Sequence, residues 1–466
     1  MSLHAKRVLQ WGLLIVGIIA VLYLMASGRQ AQASSPEARD IGALLAEVFK
    51  QDEPGGAVIV TRKGETLFRK GYGLADMELK VPIQPDMVFR LGSVTKQFTA
   101  VAILMLEEQG KLSVADPIAR FLPDYPTGGQ TITIEHLLTH TSGIKSYTSM
   151  SEWVSKWRTD MSLGSLIDMF KDQPVDFKPD ERWLYNNSGY ILLGAIIEKA
   201  SGHSYEDFIE KKIFGPLGMK DSCYDRTEQI MPKRAKGYQR TPNGFQHAAY
   251  LSMTQPYAAG SLASTVDDLA IWDTALWQNK LIRKETLAKA HTPHRLTDGR
   301  STAYGYGWAL GSYEGHRTVE HGGGIHGFAT YALSMPDDGI FVAILTNGSA
   351  GPKLLPQRLA TQMAAIAVGK PMREPAPISM TPEQLKRYAG VYSVRASEEH
   401  TITLEGTQLF WQPKDRPKTA IYPLSETEFF VKGSLTRLAF VIDTSGATSR
   451  LVIRPRVGME ETAVKK

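Results

Sequence analysis

The stretch LGSVTKQFTAVAILML, residues 91–106, sets Ser93 three residues ahead of Lys96 and runs directly into the apolar segment AVAILML. With Gly110 as its stop, the pattern predicts a buried helix over residues 95–112. If that helix starts near Ser93, positions i and i+3 share one face and the two side chains meet in the first turn. A serine hydroxyl is a weak nucleophile near neutral pH and needs a base. A lysine can be that base if burial lowers its pKa. A shift of ~3 units costs about 4 kcal/mol, which the fold must supply. The helix N-terminus adds N–H groups and positive dipole for a developing anion. Chance is the competing explanation, because short motifs carry false positives. The chain even holds a decoy of the same spacing, Ser142-Gly143-Ile144-Lys145, in HLLTHTSGIK. It sits beside a glycine with no apolar helix behind it, so nothing there would pin the pair.

Working outward, AVIVTRKGETLFRKGYG (57–73) reads as two strands around a turn at Lys63-Gly64. GYILLGAIIEKASG (189–202) reads as a helix closed by Gly202, and Thr265-Val266-Asp267-Asp268 as a helix start of the capping-box type. Strand patterns return at 327–335 and 340–347, joined by Pro336-Asp337-Asp338-Gly339, and a helix follows over roughly 353–368. Strands at both ends with helices between predict an α/β domain of the α+β kind, residues 34–370. Its antiparallel sheet is built from both chain ends, and a cleft separates sheet and helical insert. The proline-rich stretch 371–384 reads as a linker. Beyond it, GVYSV, HTITLEG, QLFWQ, AIYPL, EFFVK, LAFVID and RLVIR alternate between turn residues. They predict a small antiparallel β-barrel over 385–466, lipocalin-like in outline and filled by its own side chains.

The 466 residues fit two or three domains, and 43% hydrophobic with 22% charged residues is a globular composition. The net charge of +5 comes without a dense Lys/Arg block, which argues against nucleic-acid binding. Lys6 and Arg7 precede WGLLIVGIIAVLYLMA (11–26), and Ala31-Gln32-Ala33 follows. Residues 1–33 read as a cleaved signal peptide or a retained membrane anchor. Either places the rest outside the cytoplasmic membrane, in the periplasm or on the outer face, with membrane contact only through that segment. The single cysteine, Cys223, is expected to be a small buried hydrophobe. His136 and His140 have metal-ligand spacing, but no third ligand stands near them, so no metal is expected.

Two further elements raise the odds for Ser93 and Lys96. Tyr185-Asn186-Asn187 is the only Tyr-x-Asn, and His321-Gly322-Gly323 the only His-x-Gly, in the chain. Each is unremarkable alone, as a core aromatic or a surface histidine. The glycines beside His321 suit a strand edge that a substrate backbone approaches closely.

Together with FRLGSVTKQFTA, LLTHTSGI, PLGM (216–219), AAGSLASTVDDLA (258–270), YGYGW (304–308) and HGGGIHGF (321–328), these motifs resemble the serine β-lactamase and DD-peptidase superfamily over residues 40–368. The resemblance is to the branch with class C β-lactamases, D-aminopeptidases and related esterases, peptidase family S12. It implies Ser93 as acylated nucleophile, Lys96 as proton partner and Tyr185 as second acid/base group. Asn187 would bind the substrate amide or orient Lys96. His321 would stand where relatives carry the Lys of Lys-Thr/Ser-Gly. The Ser93 and Gly324 N–H groups would form the oxyanion hole, with Gly323 lining the substrate. No cofactor is implied. The acyl donor would be a D-amino-acid peptide related to peptidoglycan, or a small ester. Two departures stand out: no Lys-Ser/Thr-Gly occurs, and Pro179-Asp180-Glu181 replaces the Pro-Gly of many relatives. The rival readings are a penicillin sensor with little turnover, a weak class C-like β-lactamase, and an envelope protein whose barrel recruits a partner. Oligomeric state is not legible.

Overall fold

The computed structural model describes residues 35–348, 355–395 and 398–466. The segment read as signal or anchor lies outside them. The described chain opens with helix α1 (Pro36–Ala46), whose Ser35 hydroxyl caps the Ala38 N–H at 3.1 Å. Strands β1 (Gly56–Arg62) and β2 (Glu65–Tyr72) then form the expected hairpin. Lys63 and Gly64 both take positive φ, as a two-residue hairpin turn requires.

The buried helix is present as α2 (Thr95–Glu108). It is buried on nearly every side, so it is a core helix and not an amphipathic surface one. Helix α3 (Asn187–Ser201) packs against it and ends at Gly202. Helix α4 (Val266–Trp277) starts where expected, with the Thr265 hydroxyl accepting from the Asp268 N–H at 3.1 Å. The reciprocal half of a capping box is missing. The Asp268 carboxylate instead accepts from the Asp221 N–H and the Ser222 hydroxyl, at 3.0 and 2.7 Å.

Strands β3 (Ala309–Tyr313), β4 (His316–Ile325), β5 (Phe328–Met335) and β6 (Ile340–Thr346) complete the sheet, in the order β3-β4-β5-β6-β1-β2. The register Gly56↔Thr346 through Arg62↔Ile340 joins the two chain ends, and the pairing is antiparallel throughout. Helix α5 (Pro356–Ala367) and α1 cover one face, around Val58, Val342 and Ile344. The helical insert covers the other, around Phe98, Leu193 and Trp272. Burial on both faces explains why β1 and β6 read as continuous apolar runs.

No helix or strand spans residues 371–380. Eight strands follow: β7 (Gly390–Arg395), β8 (Glu398–Glu405), β9 (Gln408–Pro413), β10 (Thr419–Pro423), β11 (Glu428–Phe430), β12 (Arg437–Ile442), β13 (Thr448–Arg454) and β14 (Glu461–Lys465). They form a closed barrel, sealed by β7 on β14 through Tyr392↔Lys465. The last strand, ETAVK, is absent from the sequence reading because charged residues flank its short apolar centre. Tyr388, Tyr392, Ile421, Phe429, Leu438 and Leu451 fill the barrel core. No helix among the described residues is long and apolar enough to cross a membrane.

Candidate active site

Ser93 lies in the single turn Gly92–Val94 that feeds α2. Lys96 follows within the helix and is fully buried. Its amine lies 3.2 Å from the Ser93 hydroxyl, 2.9 Å from Asn187 Oδ1 and 2.9 Å from the Ala259 carbonyl. No carboxylate among the described residues pairs with it. Burial therefore holds its pKa well below the ordinary lysine value. A neutral amine has two N–H groups and one lone pair. The two carbonyl oxygens take the N–H groups, which leaves the lone pair to accept the Ser93 proton. The tyrosine faces of Tyr185 and Tyr190 stand 4.8 and 5.2 Å from the amine.

Asn187 holds the Lys96 amine through Oδ1 and also lines the Ser93 cavity. Its Nδ2 donates to Thr148 Oγ1 at 3.0 Å, so both ends of the amide are fixed. Asn186 caps α3 by accepting the Gly189 N–H at 2.8 Å. The Tyr185 hydroxyl is buried and has no hydrogen-bond partner of ordinary geometry among the described residues. Burial raises its pKa, and the nearby Ser93 hydroxyl offsets that only in part. It is a protonated O–H beside Ser93.

His321 lies inside β4. Its Nε2 meets the Tyr304 hydroxyl at 2.9 Å and its Nδ1 the Gly322 carbonyl at 2.7 Å. A carbonyl can only accept, so Nδ1 carries the proton and Nε2 accepts from Tyr304. Burial lowers the ring's pKa to about 3. His321 is therefore neutral and carries no fixed positive charge where relatives would place a lysine. At Gly323 an added Cβ would lie 1.9 Å from the Leu91 carbonyl oxygen, so only glycine lets β4 run this close to the Ser93 turn. Gly324 faces open space and, with Ser93, lines a cavity of about 160 Å³. Tyr147, Thr148, Trp153 and His326 form its walls. A larger cavity of about 420 Å³ lies behind β4, between α5 and the barrel, and holds none of the reactive groups.

The partners of three residues near the site escape the sequence reading. His140 is buried at φ +61°, its ring tilted against Tyr185 with centroids 4.4 Å apart, and its Nδ1 accepts the Asn186 N–H at 3.2 Å. Burial holds its pKa well below the ordinary histidine value. Tyr304 bridges to His321, as noted. Asp180, the residue of the Pro-Asp-Glu departure, also takes φ +61°, a left-handed conformation open to glycine and tolerated by aspartate. Its carboxylate accepts from His136 Nε2 at 3.1 Å and His294 Nε2 at 2.7 Å. Burial would raise that carboxyl, but His136, His294 and Thr141 outweigh it and hold it well below the usual range. Asp180 thereby ties the segment leading to Tyr185 onto two neighbouring elements. His136 and His140 point to different partners, and no group of three His, Cys, Asp or Glu among the described residues could hold a metal. Cys223 is half-buried, and burial pushes its thiol up to about 12, which makes it unreactive.

Residues 37–366 match the Beta-lactamase family. The chain belongs to that family. It is a serine hydrolase of the family, and the Ser93–Lys96 pair is where such chemistry fits. Residues 374–466 match a domain of unknown function (DUF3471). Penicillin-binding protein 4* of Bacillus subtilis (strain 168) is 32% identical over 88% of this chain and 94% of its own length. The D-aminopeptidase of Gluconobacter oxydans (strain 621H) is 27% identical over 68% of this chain and 59% of its own. Among solved structures, the octameric penicillin-binding protein homologue from Pyrococcus abyssi superposes with a TM-score of 0.64 at 27% identity. It covers 92% of this chain and 99% of that one. The D-amino acid amidase from Ochrobactrum anthropi SV3, complexed with L-phenylalanine amide, gives 0.61 at 26% identity, covering 72% and 98%.

Proposed function

We propose that the chain hydrolyses amide or ester bonds outside the cytoplasmic membrane through an acyl-enzyme on Ser93. Ser93 Oγ attacks the carbonyl carbon as its proton passes to the Lys96 lone pair. The Ser93 and Gly324 N–H groups receive the oxyanion; one such donor is worth about 3–4 kcal/mol elsewhere. The carbon–nitrogen or carbon–oxygen bond then breaks, and the leaving group takes a proton through Tyr185. Water enters, loses a proton to the same relay, and releases the acid and the free Ser93 hydroxyl. The observation that carries this reading is the carboxylate-free, buried Lys96 amine 3.2 Å from Ser93. The substrates best supported are D-amino-acid peptides related to peptidoglycan, or small esters. The neutral His321 favours donors without a carboxylate at that position, and makes an efficient β-lactamase the weaker reading. The charged, apolar N-terminal segment supports export.

The test is intact-mass spectrometry of residues 34–466 with a fluorescent penicillin and, separately, a fluorophosphonate. A stoichiometric adduct on Ser93, lost in Ser93→Ala, is expected. An adduct that forms but does not decay would convert the reading to a penicillin sensor. No adduct with either probe would end it.

A further inference from the structure

We propose that the C-terminal barrel is a working part of the catalytic strand: through Arg456 it neutralises a buried glutamate, Glu320, and so holds β4 in place beside Ser93. This rests on the acyl-enzyme reading above.

Glu320 is completely buried and stands one residue before His321. Its Oε1 accepts from the Thr318 hydroxyl at 2.6 Å, and its Oε2 from the Tyr331 hydroxyl. Neither neighbour carries a positive charge. The charge comes from Arg456, whose side chain is 7% exposed. The guanidinium meets Glu320 as a two-pronged fork, one prong at 2.8 Å to Oε1 and the other to Oε2. It also donates to Thr318 Oγ1 at 3.2 Å. Arg456 belongs to the segment between β13 and β14, so the barrel reaches into the hydrolase domain to supply it.

The contact is anchored on both sides. Val457 forms an antiparallel bridge with Gly311 on the edge strand β3. A Cβ at Gly311 would lie 2.9 Å from the Arg456 carbonyl oxygen, so the two backbones touch. The barrel segment therefore covers the edge of the sheet and inserts its arginine behind β4. A carboxylate buried this deeply is costly without a partner. Removing one member of such a pair is far worse than removing both. Without Arg456, the buried Glu320 carboxylate must turn toward water, which displaces the strand that carries His321, Gly323 and Gly324. Arg456 is a positioning residue. It touches no reacting atom.

The test uses the full chain as Arg456→Met, Glu320→Gln and the double variant, with Ser93→Ala as control. Acylation by a fluorescent penicillin is followed per folded molecule, at saturation and below it, alongside thermal melting. Arg456→Met is expected to slow saturated acylation at least tenfold, with little change in the half-saturating concentration, and to lower the melting temperature. The double variant, with no charge left buried, is expected to recover most of both. Arg456→Lys, a point charge without the fork, should fall between, and it keeps the test open if Arg456→Met does not fold. Wild-type acylation by folded Arg456→Met overturns the proposal whatever its melting temperature. So does a double variant as slow and as unstable as the single. A wild type that never acylates would instead sink the acyl-enzyme reading, and rescue of melting by the double variant would then judge the ion pair alone.

Discussion

Two serine–lysine pairs of identical spacing sit in this molecule, and they end up chemically opposite. Lys96 is fully buried and faces only neutral oxygens, from Ser93, Asn187 and Ala259. Lys145 keeps 34% of its side chain exposed and pairs with Asp176 at 2.8 Å. Ser142 is buried, but its hydroxyl accepts from the Ile144 N–H two residues on, at 3.3 Å, a local turn contact. The first pair starts a core helix, which fixes both side chains on one face. The second lies in a loop that bends at Gly143, with φ +73°. Spacing proposes a pair; a buried, carboxylate-free environment is what fits Lys96 for the proposed role of base.

The largest test of that contrast is the pair of serines. Ser93→Ala should lower turnover by about 10⁶, as loss of a serine nucleophile does elsewhere, measured on whichever acyl donor reacts. Ser142→Ala should leave turnover nearly unchanged. Comparable losses in both would erase the distinction.

Next come the lysines. Lys96→Met should abolish acylation, while Lys145→Met should cost no more than about 1 kcal/mol of stability, as for exposed ion pairs. Their pH behaviour should also separate. Lys96 has a folded pKa far below its unfolded value of about 10.4. Between those values the unfolded chain binds the extra proton, so stability rises with pH through that window. The wild type should gain melting temperature over Lys96→Met between pH 7 and 10. Parallel melting curves would mean that Lys96 is charged. His321 adds an acid limb of the same sign: stability present above about 6.5 is lost as pH falls toward about 3.

The smallest expected effect concerns how the two lysine regions are joined. Asp180 donates its N–H to the Thr141 carbonyl at 2.9 Å, beside the Ser142 loop, and clamps His136 and His294 on the other side. Asp180→Gly keeps the left-handed backbone and removes only the carboxylate. It should reduce the saturated acylation rate a few-fold through Tyr185, with unchanged half-saturation. A wild-type rate would show that the clamp does not reach the site.

Much of this was legible in the chain because it is local. The apolar run after Lys96, the hairpin at Lys63-Gly64 and the alternating strands of the barrel need only neighbouring residues to read. So is the nucleophile–base spacing itself. The strand around His321 was not legible, since three successive glycines, residues 322–324, carry little strand signal and pairing with β3 and β5 holds them there. The left-handed Asp180 was visible only as a departure without a meaning, until its two histidines arrived from 44 and 114 residues away.

By itself, then, the sequence determined the elements, the order of the two domains and the candidate pair at Ser93 and Lys96. Only the tertiary structure decided the protonation states and the partnerships. A lysine's pKa is set by what excludes water from it, and a buried charge by what meets it. For Glu320 that partner lies 136 residues away in the barrel. Spacing along the chain encodes neither quantity, because desolvation and long-range charge pairing exist only once distant segments have packed.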